Sequence, residues 1–379
     1  MPRVLVLNGP NLNLLGTRRP EVYGVHTLAD LERMAAGWGT ELGIGVDCFQ
    51  SNHEGALIDR LHAARGEVDG IVLNAGALTH TSYALHDALE AIGIDTVEVH
   101  ISNVKEREPW RAVSVLSPAC VATIYGRGLE GYLWALRHLH HRWAWPFQTL
   151  AYGPAPDQVA DLRLPVGAGP HPLCVLVHGG FWRHMWTRDI MEGPAVDLAR
   201  RGVATLNVEY RRVGAGGGWP TSLADVVAGA RAGIDQAGID PDRVAVAGHS
   251  AGGHLALLAA AAGLPGLRLA ATLGGVADLE AAAEDRLGEG AAAAFLAGAA
   301  PAHASPLGRL PLGVPLLVAH GREDDRVPVS QAQRFAAAAA AAGDRVELVM
   351  SDGGHFEFLE ASEPMWRAVA ERIVAALAA

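Results

Sequence analysis

Apolar and polar positions divide the chain into two successive α/β alternations. In the first, short β-forming apolar runs lie at Val4 to Leu7, Val46 to Phe49, Gly70 to Leu73, Thr96 to Ile101 and Cys120 to Tyr125, separated by segments of helical periodicity. Five such strands with helices between them predict a parallel, doubly wound sheet. The segment Leu28 to Leu42 sets Leu28, Leu31, Ala35, Trp38 and Leu42 on one helical face, although Gly37 and Gly39 weaken it. A closing helix from Leu129 to about His141 carries Tyr132, Leu133, Leu136 and Leu139, and Trp143-Ala144-Trp145-Pro146-Phe147 ends its periodicity. A second alternation follows, with strands expected near Leu173 to Val177, Ala204 to Val208, Val244 to Ala247, Leu316 to Ala319 and Val346 to Met350. The pattern therefore predicts one α/β domain over 1–143, a linker over 144–152 and a second α/β domain over 153–379. The two halves share no motif spacing, so neither is a repeat of the other.

Composition agrees with two globular cores. At 379 residues the chain exceeds the size at which one core keeps growing, and 50% apolar with 19% charged residues is ordinary globular usage. A formal net charge of -11 leaves no basic surplus to displace counterions from phosphate, which disfavours a nucleic-acid partner. Cys48, Cys120 and Cys174 have neither CxxC spacing nor an even count, so they are expected to be small buried hydrophobes in strands, not a disulfide framework or a zinc site. The chain runs from Met1-Pro2-Arg3 straight into a strand without a signal-peptide pattern, so a cytoplasmic protein without a membrane segment is expected. Alanine runs at 291–294 and 336–342 are compositional bias.

The first candidate site begins at Leu7 to Gly16, a Gly- and Asn-containing loop directly after a strand. It lacks both G-x-G-x-x-G and a lysine-bearing phosphate loop, so a dinucleotide or nucleoside triphosphate is excluded. A flavin module is the remaining reading by loop position, and it would make the protein yellow. Further blocks follow in order: Arg18 with Pro20 to Gly24, Gln50-Ser51-Asn52-His53-Glu54-Gly55, Asn74 to Ser82, and Glu98-Val99-His100-Ile101-Ser102-Asn103. With these blocks, residues 3–141 closely resemble the type II 3-dehydroquinate dehydratases, flavodoxin-like and usually dodecameric lyases of the shikimate pathway. Two departures fall outside the chemical groups: Arg19 stands where an acidic residue is expected, and Glu108-Pro109-Trp110 is an altered segment before Arg111.

The resemblance implies dehydration of 3-dehydroquinate to 3-dehydroshikimate, which needs a base beside a ketone, donors for an enolate and an acid for the departing hydroxyl. Tyr23 matches the base. A free tyrosine has a pKa of about 10, so a cation must favour the phenolate, and Arg18 on the same loop is the candidate. His100 matches the acid, with Glu98 two residues away on the same strand face to orient it. By resemblance Asn11 and Asn74 polarise the enolate or its water, and His80, Arg107 and Arg111 bind substrate oxygens. The Ile101 amide and Ser102 hold the carboxylate, and Asp87 reaches a neighbouring subunit's site. Lys105 is the only lysine and lies in a loop, which argues against Schiff-base chemistry; the type II route implies neither cofactor nor metal.

The second candidate site is Val244-Ala245-Val246-Ala247-Gly248-His249-Ser250-Ala251-Gly252-Gly253, a strand entering G-x-S-x-G and then a helix. With 45 glycines and 11 serines the bare pattern arises by chance roughly 0.15 times, so its context must carry the assignment. That context is His178-Gly179-Gly180-Phe181-Trp182 after one strand, His320-Gly321-Arg322-Glu323-Asp324 after another and Gly353-Gly354-His355-Phe356 after a third. Ser250, Asp324 and His355 then follow the hydrolase order of nucleophile, carboxylate and base, with Asp325 the competitor for the carboxylate. The Ala251 amide, joined by that of Gly180 or Phe181, would form the oxyanion hole. Residues 150–379 resemble α/β-hydrolases of the esterase and kynurenine-formamidase-like group, implying a serine hydrolase of a carboxylic ester or amide. The whole is expected to be a bifunctional enzyme acting on small molecules; the competing reading keeps the lyase and makes the second half a non-catalytic interaction module.

Overall fold

The computed structural model describes residues 1–378, and these divide into two compact units, one over Met1–Trp143 and one from Ala144 onward. In the first unit β1 (Arg3–Asn8), β2 (Gly45–Gln50), β3 (Gly70–Asn74), β4 (Asp95–His100) and β5 (Ala122–Tyr125) form one parallel sheet in the order β2-β1-β3-β4-β5. This is the doubly wound arrangement expected from the alternation. β1 and β3 are buried almost throughout because helices cover both faces, which is why they read as continuous apolar runs. Their register sets Asn8 beside Asn74 at the carboxyl ends, on the edge where such sheets bind ligands.

The helix Leu28–Leu42 starts at a capping box: Asp30 N–H donates to Thr27 Oγ1 and the Thr27 N–H returns to the Asp30 carboxylate. Gly39, a weak helix former, is there for packing. A Cβ on it would lie 2.5 Å from Val46 Cγ2 and 2.8 Å from the Ile44 carbonyl, whereas a Cβ on Gly37 would meet nothing within 4 Å. The closing helix is longer than its periodicity indicated, running Glu130–Ala144.

In the second unit eight strands are ordered β13-β12-β11-β10-β8-β9-β7-β6. They are β6 (Gln148–Ala151), β7 (Val159–Arg163), β8 (His171–Val177), β9 (Ala204–Val208), β10 (Ile239–His249), β11 (Leu267–Leu273), β12 (Leu316–Gly321) and β13 (Val346–Ser351). β6, β7 and β11 carry no strand in the sequence reading, and β6 falls inside the span read as linker. β7 escapes notice because its buried side chains include Asp161 and Arg163, both paired: Asp161 with Arg188 at 2.6 Å, Arg163 with buried Glu192. Pairs β6–β7 and β7–β9 are antiparallel and the rest parallel, giving the mixed sheet of an α/β-hydrolase fold. One expectation is corrected: of the cysteines only Cys174 is a buried strand residue, while Cys48 and Cys120 are half-buried and Cys120 precedes β5. Burial nonetheless pushes the Cys48 thiol up to about 12. Among the described residues no helix is long and apolar enough to cross a membrane.

Candidate active sites

In the first unit a pocket opens at the carboxyl ends of β1, β3 and β4. Asn11, Arg18, Tyr23, Asn74, His80, His100, Ile101, Ser102, Arg107 and Arg111 all line it. Glycine at position 9 lets β1's exit run against β3, since a Cβ there would sit 2.6 Å from the Ala75 carbonyl oxygen. Asn11 follows with φ 69°, its N–H donating to Asn52 Oδ1 at 2.9 Å. At the pocket floor Asn74 Nδ2 donates to the Tyr132 hydroxyl at 2.8 Å, which donates to Asn8 Oδ1 at 2.7 Å, fixing the Asn74 amide.

The Tyr23 hydroxyl accepts from Arg107 Nη1 at 2.9 Å, and the same nitrogen lies 3.0 Å from Ser102 Oγ. Arg18, expected at this hydroxyl, instead stands over the Tyr23 ring, its Cζ 5.1 Å from the centroid. Two cations therefore address one phenol, one at its oxygen and one at its face. His100 Nε2 lies 2.8 Å from Glu98 Oε1, with both side chains buried. Because a carboxylate only accepts, Nε2 carries the proton and Nδ1 is left for chemistry. His80 stacks on His100 with centroids 6.4 Å apart, and its own Nδ1 lies 2.6 Å from the Val113 carbonyl. Burial pulls the His80 pKa below the ordinary value against the pull of that carbonyl.

The departure at Glu108-Pro109-Trp110 has a visible consequence. Glu108 pairs with Arg111 at 2.7 Å and approaches Arg107 at 3.6 Å, Arg111 lies over the Trp110 ring at 4.0 Å, and Trp110 meets His80 edge-on at 5.1 Å. Asp87 lines no part of the pocket; it is exposed on the helix Tyr83–Ile92 beside His86 and Glu90. Ser114, absent from the sequence reading, donates to Glu98. A lone serine three residues beyond an arginine gave no signal.

In the second unit Ser250 sits between β10 and the helix Ala251–Ala261 with φ 56° and ψ -121°, a backbone turn that side chains rarely adopt. The flanking glycines permit it. A Cβ at Gly248 would lie 2.1 Å from the Gly252 carbonyl oxygen, and one at Gly252 would lie 2.1 Å from that of Val177. Gly179 passes so close that a Cβ on it would be 2.8 Å from Ser250 Cβ. The loop beyond it has positive φ at three successive residues, Gly180 (104°), Phe181 (52°) and Trp182 (55°).

That strained loop is braced from beneath. The Tyr210 hydroxyl donates to the His178 carbonyl at 3.0 Å, and His178 Nε2 lies 2.9 Å from Glu209 Oε1. Burial alone would push Glu209 up, but Arg212, His178 and Arg188 hold it below the usual carboxylate range. Ala251 is the first residue of its helix, so its N–H has no intrahelical acceptor.

His355 Nδ1 lies 2.7 Å from Asp324 Oδ2, while Asp325 is exposed and pairs with Arg326. Asp324 Oδ1 accepts from the Arg326 and Val327 amides at 2.9 and 2.8 Å, and His320 Nε2 stands 3.3 Å from Oδ2. Burial raises this carboxyl, yet hydrogen bonds from His320 and His355 outweigh it and hold Asp324 below the usual range. His249 Nε2, on the residue before the serine, donates to the His355 carbonyl at 2.9 Å; burial first, then the neighbouring His355, pulls its pKa down to about 3 and keeps it neutral. The histidine inside G-x-S-x-G was on the page in the sequence, but its tie to His355 depends on the fold.

Residues 2–140 match the family Dehydroquinase class II, and residues 195–365 match the Prolyl oligopeptidase family. The 3-dehydroquinate dehydratase 2 of Ralstonia nicotianae is 58% identical over 144 residues, 37% of this chain and 94% of that protein. The catabolic 3-dehydroquinase 1 of Aspergillus terreus is 54% identical over 140 residues, 37% of this chain and 92% of that protein. The solved structure of an esterase/lipase from an uncultured bacterium covers 62% of this chain and 83% of its own length, at 25% identity and a TM-score of 0.50.

Proposed function

The chain belongs, through its amino-terminal unit, to the class II dehydroquinase family, and from that premise we propose that this unit dehydrates 3-dehydroquinate to 3-dehydroshikimate through an enolate. The observation that carries the reading is that Tyr23, bonded to Arg107, and His100, backed by buried Glu98, line one pocket. A guanidinium at the phenol oxygen stabilises a phenolate over a phenol. The phenolate takes the proton on the carbon between the ketone and the carbinol, and the electron pair moves onto the ketone oxygen as an enolate. Asn11, Asn74 or a water they hold stabilises it. The enolate then collapses and expels the hydroxyl from the opposite face; the acid is a His100 ring protonated on both nitrogens, which keeps its Nε2 proton on Glu98 and gives its Nδ1 proton to the hydroxyl, so that water departs and a conjugated enone remains. Arg111, His80, the Ile101 amide and Ser102 hold the substrate's oxygens and carboxylate. The step consumes no cofactor or metal. Appearance of the enone's ultraviolet absorbance on adding 3-dehydroquinate to the purified protein tests this, and its absence overturns the reading.

The second unit is proposed to be a serine hydrolase of a carboxylic ester or amide. Ser250 on its strained elbow, with His355 held by Asp324, supports this reading. Ser250 Oγ attacks the acyl carbon as His355 takes its proton; the oxyanion falls to the amides of Ala251 and Gly180 or Phe181; His355 returns the proton to the leaving group, and water hydrolyses the acyl-enzyme. A short-chain aryl ester panel tests it, and the fusion is then bifunctional. A non-catalytic module would not require a buried, fully hydrogen-bonded carboxylate behind its histidine. The assembly proposed is a cytoplasmic homododecamer in which exposed Asp87 serves a neighbouring subunit's site; light scattering on the full chain reads the size, and an active monomer contradicts it.

A further inference from the structure

Glu98 is buried behind His100, and its orientation depends on what meets its other lone pairs. Ser114 Oγ lies 2.9 Å from Glu98 Oε1 and 2.9 Å from Oε2. The same oxygen accepts the Leu116 N–H at 3.1 Å and the Ser117 N–H at 3.0 Å. A serine hydroxyl has two lone pairs and one proton. Two main-chain donors fill the lone pairs, so the proton has only the carboxylate to go to.

We propose that Ser114 is a positioning residue for the dehydration step: a hydroxyl locked as a donor that selects an ionised Glu98 and, through it, sets the ring of His100. The lock is part of one short segment that addresses both histidines of the pocket. Val113, immediately before, accepts His80 Nδ1 at 2.6 Å, and Val115, immediately after, donates its N–H to the Thr79 carbonyl at 2.9 Å. Thr123 Oγ1 also donates to Glu98 Oε2, at 3.4 Å a longer and weaker bond than those of Ser114. The donor-only state also predicts that an amide substitutes poorly at 98. The NH2 of a glutamine turned toward Ser114 would face an oxygen with no lone pair left.

This inference rests on the dehydratase reading, and wild-type turnover in the same assay separates failure of that reading from failure of this one. Ser114→Ala removes the donor without touching substrate. The expected result is a kcat lowered roughly 10-fold, the scale of one hydrogen bond to a charged group, with KM within about twofold of wild type. Ser114→Thr, which keeps the hydroxyl, recovers most of the loss. In a Glu98→Gln background Ser114→Ala should change kcat by less than about twofold, because its target is gone. Wild-type kcat in Ser114→Ala overturns the proposal. So do equal losses in the Ala and Thr variants, or a full further 10-fold loss in the double variant.

Discussion

The two units each set a histidine on a carboxylate, at 2.8 Å in one and 2.7 Å in the other, but they assemble the pair differently. Glu98 and His100 are two residues apart on β4, so strand geometry alone puts both on one face. Asp324 and His355 are 31 residues apart, on loops leaving the adjacent strands β12 and β13. The first pair borrows its outer donor from a side chain, Ser114; the second takes two main-chain amides and a second histidine. A pair made within one strand needs help only to fix its carboxylate, whereas a pair made between loops needs both loops fixed. The dense bonding around Asp324, and the His249 bond to the His355 carbonyl, do that fixing.

Independence of the units is the first thing to break. Ser250→Ala should lower ester hydrolysis by roughly 10⁶-fold in kcat and leave dehydration unchanged. Loss of both activities in a folded protein would show that the units act as one. Next in size, Asp324→Asn should cost about 10⁴-fold in hydrolysis, because an amide can donate to His355 Nδ1 and hold the wrong tautomer. Asp325→Asn should do nearly nothing; the reverse ranking would move the carboxylate's role to the exposed neighbour.

The corresponding changes in the first unit are expected to be smaller. Tyr23→Phe should lower dehydration about 10³-fold and spare hydrolysis, since it removes the base yet leaves the guanidinium and asparagine donors in place. For Glu98→Gln a loss of about 10²-fold is expected, because the strand and the stacked His80 still hold the His100 ring. Steady-state kinetics on the three carboxylate variants ranks them. If Glu98→Gln costs as much as Asp324→Asn, building a pair within one strand confers no robustness.

The same contrast decides what was legible in the sequence. The local pair Glu98–His100 and the elbow Gly248-His249-Ser250-Ala251-Gly252 could be read because strand period and turn sterics act over a few residues. Motif offset favours Asp324 over Asp325, and only the fold puts its carboxylate on His355. Nearness in sequence points to Arg18 as the cation for Tyr23, yet the hydroxyl meets Arg107, 84 residues away. β7 is hidden in the sequence because its buried charges, each paired with a distant partner, imitate a solvated loop, and β6 because four residues of edge strand carry almost no period. Ser114 has no sequence signature at all: its role exists only where the fold brings its hydroxyl to Glu98.

The smallest effect expected concerns acid stability, and it bears on how firmly the inter-loop pair is held. Asp324 is held below the usual carboxylate range despite its burial, by His320, His355 and the Val327 amide. A carboxyl whose folded pKa is depressed contributes stability that is fully present above its unfolded value, about 3.9, and is lost as pH falls through the lower folded value. Asp324→Asn forfeits that contribution at every pH. The thermal transition that this substitution shifts should therefore lie roughly 5 °C below wild type at pH 7 and keep that gap at pH 5. The gap should narrow only below about pH 4, where the wild-type unfolded state begins to take up the proton that the folded state still excludes. Melting curves at pH 7, 5 and 3.5 read this directly. A gap that closes between pH 7 and 5 would mean that Asp324 is protonated far more easily than its two amides and two histidines require, and that the second pair is no more tightly held than an ordinary surface carboxylate.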